Sequence, residues 1–275
     1  MLPELPDIIL LTRSLNDGLA GRTIHSTKVN QPKVLNRSPT SFKRKVEGRQ
    51  FIGFCYSGKW IAGNLDNHWT IALNLGMGGE VRLHWPVEVP DPTRERVIFV
   101  FNDAAQLWLH FWWFGHVHLI PPGKLEEHPQ LSTMGVNPLS SEFTTDRLLE
   151  LLANKRGRIK SYLLDQRFIA GIGNVYVQDI LWHAKLHPMR NANTLSETDI
   201  HKLHKAIQHV LHEGIRFGPG PGEQDLWGNR GQWGKLPGWP KIAYKTGKPC
   251  PTCNALIEEL RVGSTTSYLC PKCQI

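Results

Sequence analysis

Cys250-Pro-Thr-Cys253 and Cys270-Pro-Lys-Cys273 close the chain, with sixteen residues between the two pairs. Each C-x-x-C turns two thiolates toward one point, and two such pairs complete a tetrahedral four-cysteine zinc site. Lys248 and Lys272, beside the knuckles, favour the thiolate form. All four ligands come from protein, so the expected cofactor is one Zn2+ that is structural rather than catalytic. The spacing suits a zinc finger that grips nucleic acid, and equally a structural ribbon without that role. The fifth cysteine, Cys55, sits in the apolar stretch from Phe51 to Tyr56. It reads as a buried small hydrophobe. An odd cysteine count argues against a disulfide scaffold.

The rest of the composition agrees with a DNA partner. The 275 residues suffice for two modest domains, and 40% hydrophobic with 20% charged residues is ordinary for a globular chain. No apolar run approaches the roughly 20 residues that span a bilayer. The stretch from Met1 to Thr12 lacks a signal-peptide pattern, so the expectation is an intracellular, cytoplasmic protein with no membrane association. The formal charge of +8 and pI near 9.3 suit a polyanion, because each cation that neutralises a phosphate releases a counterion. Ten tryptophans either stack on bases or fill cores.

Upstream of the finger the pattern changes twice. Between about residues 20 and 120, short β-rich runs (Thr23–Val29, Trp69–Leu75, Val97–Phe101, Gln106–Phe111) alternate with turn residues. That is the signature of a sandwich or barrel. Before them, Ile8 to Leu19 reads as a helix capped by Asp7. After a linker at Pro121–His128, helical spacing takes over at Thr145–Leu152, Ile159–Asp165, Val175–Leu186 and Leu195–Phe217. In the last, Ile200, Leu203, Ile207, Val210 and Leu211 share one face, and Thr194-x-x-Glu197 fits a capping box. Residues 218–239, rich in Gly, Pro and Trp, read as a long functional loop.

Three further motifs stand in this order: Pro3-Glu4-Leu5-Pro6-Asp7; Gly58-Lys59 ahead of Leu75-Gly76-Met77-Gly78; and Ala170-Gly171-Ile172-Gly173-Asn174-Val175-Tyr176 followed by His187-Pro188. With the finger, they resemble the formamidopyrimidine-DNA glycosylase and endonuclease VIII family from residue 3 to 274. The resemblance implies an α+β multidomain fold. An N-terminal β-sandwich (1–122) and a linker (123–140) precede a helix–two-turn–helix domain (141–243) that contains the 218–239 loop, and a zinc-finger hairpin (244–275) ends the chain. DNA would lie in the cleft between the two main domains. Glycines at Gly173 and before it let backbone approach a phosphate, helix-start amides favour the anion, and Asn174 adds a side-chain donor.

The implied function is base-excision repair: a DNA glycosylase with abasic-site (β/δ-elimination) lyase activity on damaged, oxidised bases. Its partner would be double-stranded DNA carrying a damaged base or abasic site, bound by a monomer. In the family an N-terminal proline amine attacks C1′ and forms a Schiff base. An α-amine with a pKa near 8 is far more neutral at physiological pH than lysine. By resemblance Pro3 is the nucleophile, Glu4 the acid/base at the sugar, and Lys59 a phosphate contact or proton-transfer aid. Here Leu2 precedes Pro3, whose nitrogen as written is a tertiary amide without a free lone pair. Translation starting at residue 2, removal of two residues, or replacement of the nucleophile by Lys59 or the terminal amine would each restore the chemistry. A non-catalytic damage- or structure-specific DNA-binding protein is the alternative, and a general nucleic-acid role, on RNA, a third reading.

The chain departs from the family elsewhere too. Trp112-Trp113 precede Phe114-Gly115 in place of an arginine pair, Asn74 replaces a common histidine, and Thr265 stands where a DNA-contacting arginine is usual. Met77, Trp112 and Phe114 are candidates for the wedge that fills the gap of a flipped base. Trp112 and Trp113 pack a hinge in the alternative reading. Ser264, Thr265, Thr266 and backbone amides would hold phosphates at the finger, with Lys245, Lys248 and Lys272 supplying charge. Lys160 is counted with the DNA-binding cations. Glu223, Gln224, Asp225 and Trp227 would line the lid over an everted base; a disordered surface loop is the alternative reading of this stretch.

Overall fold

The computed structural model describes residues 3–85, 91, 94–112 and 114–275; the candidate Trp113 and the Met1-Leu2 pair lie outside the described residues. Two compact units emerge, one of residues 1–133 with 218–231, the other of 134–217 with 232–275.

The first unit is the expected sandwich. One antiparallel sheet runs in the order β1 (Ile24–Val29), β6 (Glu95–Phe101), β7 (Gln106–His110), β5 (Glu80–His84). The other runs β2 (Phe51–Ser57), β3 (Trp60–Leu65), β4 (Thr70–Asn74), β8 (His116–Ile120). Alternation sends Val97, Phe99 and Phe101 of β6 into one core, and a bulge in β2 between Phe51 and Gly53 shifts the register so that Phe51 and Phe54, three residues apart, both enter it; Phe51 meets Phe99 edge-on at 6.4 Å and lies 6.3 Å from Phe101. Past the bulge, alternation exposes Cys55. The expectation of a buried cysteine was wrong, because the apolar run is a one-sided strand and Cys55 falls on its outer face.

Helix α1 (Leu5–Leu19) closes this core with Ile8, Leu11, Leu15 and Leu19. It begins earlier than the sequence suggests: Glu4, not Asp7, is the N-cap, and Asp7 is the third residue of a capping box. Pro6 is accommodated because first-turn residues need no intrahelical N–H. Helix α2 (Pro39–Val46), capped by Ser38, adds Phe42 and Val46 to the same core. The stretch 218–231 forms no helix or strand, yet its Leu226 is fully buried in this core and accepts the Leu83 N–H at 3.2 Å.

The second unit holds α3 (Thr145–Leu152), α4 (Ile159–Leu164), α5 (Tyr176–His183) and α6 (Glu197–Phe217), then a hairpin of β9 (Glu258–Val262) and β10 (Thr265–Leu269). The apolar stripe of α6 is buried as expected. Its cap is not Thr194-x-x-Glu197. Ser196 Oγ accepts the Asp199 N–H at 3.2 Å and Asp199 returns the bond to the Ser196 N–H at 3.1 Å, while Thr194 is engaged in a preceding 3-10 turn. The two frames compete locally, and the serine frame places its acid where it also pairs with Arg190 at 2.9 Å.

Candidate active site and nucleic-acid interface

The candidate chemistry gathers at the start of α1. Pro3 is buried, and Glu4 is 2% exposed. The Glu4 carboxylate accepts the Asp7 N–H, and Asp7 accepts the Glu4 N–H at 2.8 Å. The other Asp7 oxygen accepts the Gly220 N–H at 2.6 Å, which ties the 218–231 stretch to the first turn of the helix. Burial raises the Asp7 pKa, and these backbone donors and Lys59 only partly offset it.

Lys59 reaches the same place from the sheet. Ser57 and Trp60 pair across a two-residue hairpin turn, Gly58-Lys59, with Gly58 at φ +54 in the region that favours glycine. Pro3, Lys59, Asn74 and Gly76 line one small cavity. Burial lowers the Lys59 pKa, while the Glu4 and Asp7 carboxylates pull it back up. Desolvation makes this lysine a better proton carrier than a surface one. Asn74 shapes the cavity wall. Its amide donates to the Lys59 carbonyl and its oxygen accepts the Gly76 N–H, each at 3.1 Å.

Beside this cluster lies a cavity of about 360 Å³ walled by Met77, Gly78, Glu80, Trp112 and Glu223, a size typical of small-ligand sites. Met77 is 40% exposed, Trp112 62% and Phe114 77%, well beyond what core packing produces. Trp112 lies over Gly78, where a Cβ would stand 2.4 Å from its ring at a φ of +61. Glu223 is nearly buried in the wall, and its pKa is pushed up to about 8, first by burial and then by the Asp7 carboxylate. That shift favours the protonated carboxyl, a hydrogen-bond donor as well as an acceptor.

In the second unit the Gly-Ile-Gly-Asn segment is a built turn. Gln166 accepts the Gly171 N–H at 2.7 Å and donates to the Ile172 carbonyl at 2.8 Å. Gly173 is buried and Asn174 half-buried, ahead of α5. Gln178 links turn and finger, donating to the Asn174 side chain at 3.1 Å and the Thr266 carbonyl at 3.2 Å. Lys160, counted among the DNA-binding cations, is wholly buried. Its ammonium donates to the Thr266 carbonyl at 2.8 Å and the Ser267 hydroxyl at 2.7 Å, and burial lowers its pKa to about 8. Lys245 donates to the Pro240 carbonyl. Thr265 and Thr266 are half-buried at the hairpin end, with Arg261 exposed directly across from Thr266. Arg261 escaped notice in the sequence because only the hairpin register sets it beside the tip.

The four cysteines converge, with all sulfurs within 4.8 Å of one another. Cys250 and Cys273 are 3.9 Å apart and Cys253 and Cys270 3.4 Å. Zinc at about 2.3 Å from each sulfur needs edges of about 3.8 Å, so the residues fit the ion. Burial works against the Cys250 thiolate, but the Thr252 and Cys253 amides and the Trp182 indole outweigh it and bring the thiol to about 6. The cofactor is one structural zinc.

Comparison with known proteins agrees with this geometry. Residues 2–112 match the formamidopyrimidine-DNA glycosylase N-terminal domain, residues 134–223 its H2TH domain, and residues 247–275 a zinc finger found in FPG and IleRS. The formamidopyrimidine-DNA glycosylase of Chloroflexus aurantiacus is 34% identical, covering 100% of this chain and 98% of its own length. That of Bacillus subtilis is 33% identical, covering 99% of each. Among solved structures, Lactococcus lactis Fpg with an abasic site containing DNA superposes at a TM-score of 0.90 with 28% identity, covering 99% of both chains. The same protein with N7-benzyl-Fapy-dG containing DNA gives the same three values. The chain belongs to the formamidopyrimidine-DNA glycosylase family.

Proposed function

We propose that this chain is a base-excision repair DNA glycosylase with abasic-site lyase activity, acting as an intracellular monomer on double-stranded DNA that contains an oxidised base or abasic site. The observation that carries the reading is the convergence of Pro3, Glu4 and Lys59 at the start of α1, two of them buried and the third with a lowered pKa. Pro3, once its nitrogen is a free amine, attacks C1′ of the damaged nucleotide. The base leaves with a proton, and the resulting iminium lets a β-elimination cut the strand. Glu4, held by the helix-start amide of Asp7, handles the proton at the sugar. Lys59 contacts phosphate or carries a proton.

Met77, Trp112 and Phe114 offer exposed apolar surface for the gap left by the base, and apolar insertion offsets part of a flipping cost of a few kcal/mol. Glu223 and Trp112 share one cavity wall, where an acid and an indole suit an everted base. Gly173, Asn174, Thr265, Thr266 and Lys245 supply the backbone grip. Lys160 serves that grip from behind by fixing the carbonyl of Thr266, and Arg261 supplies a cation at the tip in place of one at Thr265.

Borohydride trapping on duplexes with an abasic site or an oxidised purine tests the reading. Protein whose first residue is Pro3, verified by the mass of its N-terminal peptide, forms a covalent adduct, and its Pro3→Gly variant loses most of it. Absence of any adduct from correctly begun protein refutes the lyase assignment and leaves the binding protein.

A further inference from the structure

Helices α5 and α6 carry a second cluster with metal-ligand chemistry, apart from the finger. His183 ends α5, and His209 and Glu213 stand one turn apart on α6, so that i and i+4 side chains share a face. Their donor atoms all lie within 4.8 Å of one another. His209 Nε2 is 3.5 Å from Glu213 Oε2, and the His183 and His209 rings meet edge to face at 4.8 Å.

We propose that His183, His209 and Glu213 form a second metal site, which takes a borderline divalent transition ion such as Zn2+ through two imidazoles and one carboxylate. Ligands at about 2.0–2.1 Å from such an ion stand about 3.4 Å apart in a tetrahedral arrangement. The His209–Glu213 pair already has that separation, and His183 needs to close by at most about 1.4 Å. Two donor atoms await an electrophile: His183 Nε2 and Glu213 Oε2 are buried without a hydrogen-bond partner among the described residues. Buried polar atoms left unsatisfied cost free energy, and an ion on both at once relieves it. Arg216 approaches the other carboxylate oxygen at 3.5 Å, leaving Oε2 to the metal. Lys241 is close enough to act on His183 electrostatically and weakens the site rather than closing it. Two imidazoles favour zinc, cobalt or nickel over magnesium or calcium, which take all-oxygen shells. The three ligands leave a fourth position for water on the side of His209, which is half exposed. The ion ties the last turn of α5 to the C-terminal half of α6.

Full-length protein with its finger loaded is dialysed against micromolar Zn2+, and bound metal is counted by mass spectrometry. Two ions per chain are expected, falling to one in His209→Gln and in Glu213→Gln, neither of which alters the buried core. Cobalt titration supplies an independent readout: the second Co2+ gives d–d bands without the thiolate charge-transfer absorption of the finger. Loss of one ligand weakens this ion at least about tenfold, since even outer partners of a metal site are worth that much. Zinc raises the thermal midpoint of the wild type and not of the two variants. A wild-type count of one ion per chain refutes the site, as does a second ion that both variants retain.

Discussion

Replacing Glu223 by Gln removes a titration that the fold has displaced far from its ordinary range. The carboxyl is 8% exposed, and burial and the Asp7 carboxylate lift its pKa from 4.5 to about 8. In the unfolded chain it ionises near 4.5. Between those two values the folded protein therefore holds a proton that the unfolded protein has lost, and stability falls as pH rises. One proton gives a slope of at most about 1.4 kcal/mol per pH unit. The loss begins near pH 4.5 and levels off above about pH 8. Glutamine keeps the shape and cannot ionise, so Glu223→Gln lies close to wild type at pH 5 and overtakes it by pH 8. For a chain of this size that is a midpoint difference growing by about 3 °C per pH unit. Paired thermal unfolding at pH 5, 6, 7, 8 and 9 reads it directly. A wild-type-to-variant difference that stays constant over this range refutes the buried-acid argument.

Three further outcomes follow from other contacts. Gly78→Ala forces a Cβ to within 2.4 Å of Trp112 at positive φ, costing about 1–2 kcal/mol and displacing the indole. Tryptophan quenching by lesion-containing duplex should shrink, with affinity falling about tenfold; unchanged quenching would remove Trp112 from the interface. Asp7→Ala strips the Glu4 and Gly220 amides of their acceptor, at about 1–3 kcal/mol for each orphaned donor, which urea unfolding measures. Asp7→Asn, which keeps an acceptor, should lose clearly less. Cys250→Ser should release the finger zinc and abolish duplex binding by fluorescence anisotropy; a variant that lacks zinc but binds normally would show that the finger is no part of the grip.

The finger and the α6 stripe were legible because their information is local: ligand spacing and helical period survive without any partner. The sandwich followed from its turn-bounded runs. What the sequence concealed depends on distant partners. The second role of Asp7 involves an amide 213 residues away, and no local pattern announces it. Lys160 reads as a phosphate-binding cation until the finger hairpin buries it. Arg261 becomes a candidate only through its register with Thr266. The Thr194-x-x-Glu197 spacing fits a capping box, yet the bonds form two residues on, between Ser196 and Asp199, which spacing alone does not reveal. The proposed roles of Pro3, Glu4 and Lys59 rest on family resemblance rather than on residue chemistry, since a proline, a glutamate and a lysine scattered over 57 residues carry no pattern of their own.

The return of residues 218–231 to the first unit means that this unit is not a continuous stretch of the gene. A fragment cut after Thr133 would lack Leu226, and with it a plug in the centre of its core. It would also lack Glu223 from the cavity wall and the Gly220 amide that satisfies Asp7. Such a piece cannot be exchanged between relatives as a module. A recombinant that takes residues 1–133 from one parent inherits the rest of that cavity wall from the other, so these two segments must be inherited as a matched pair.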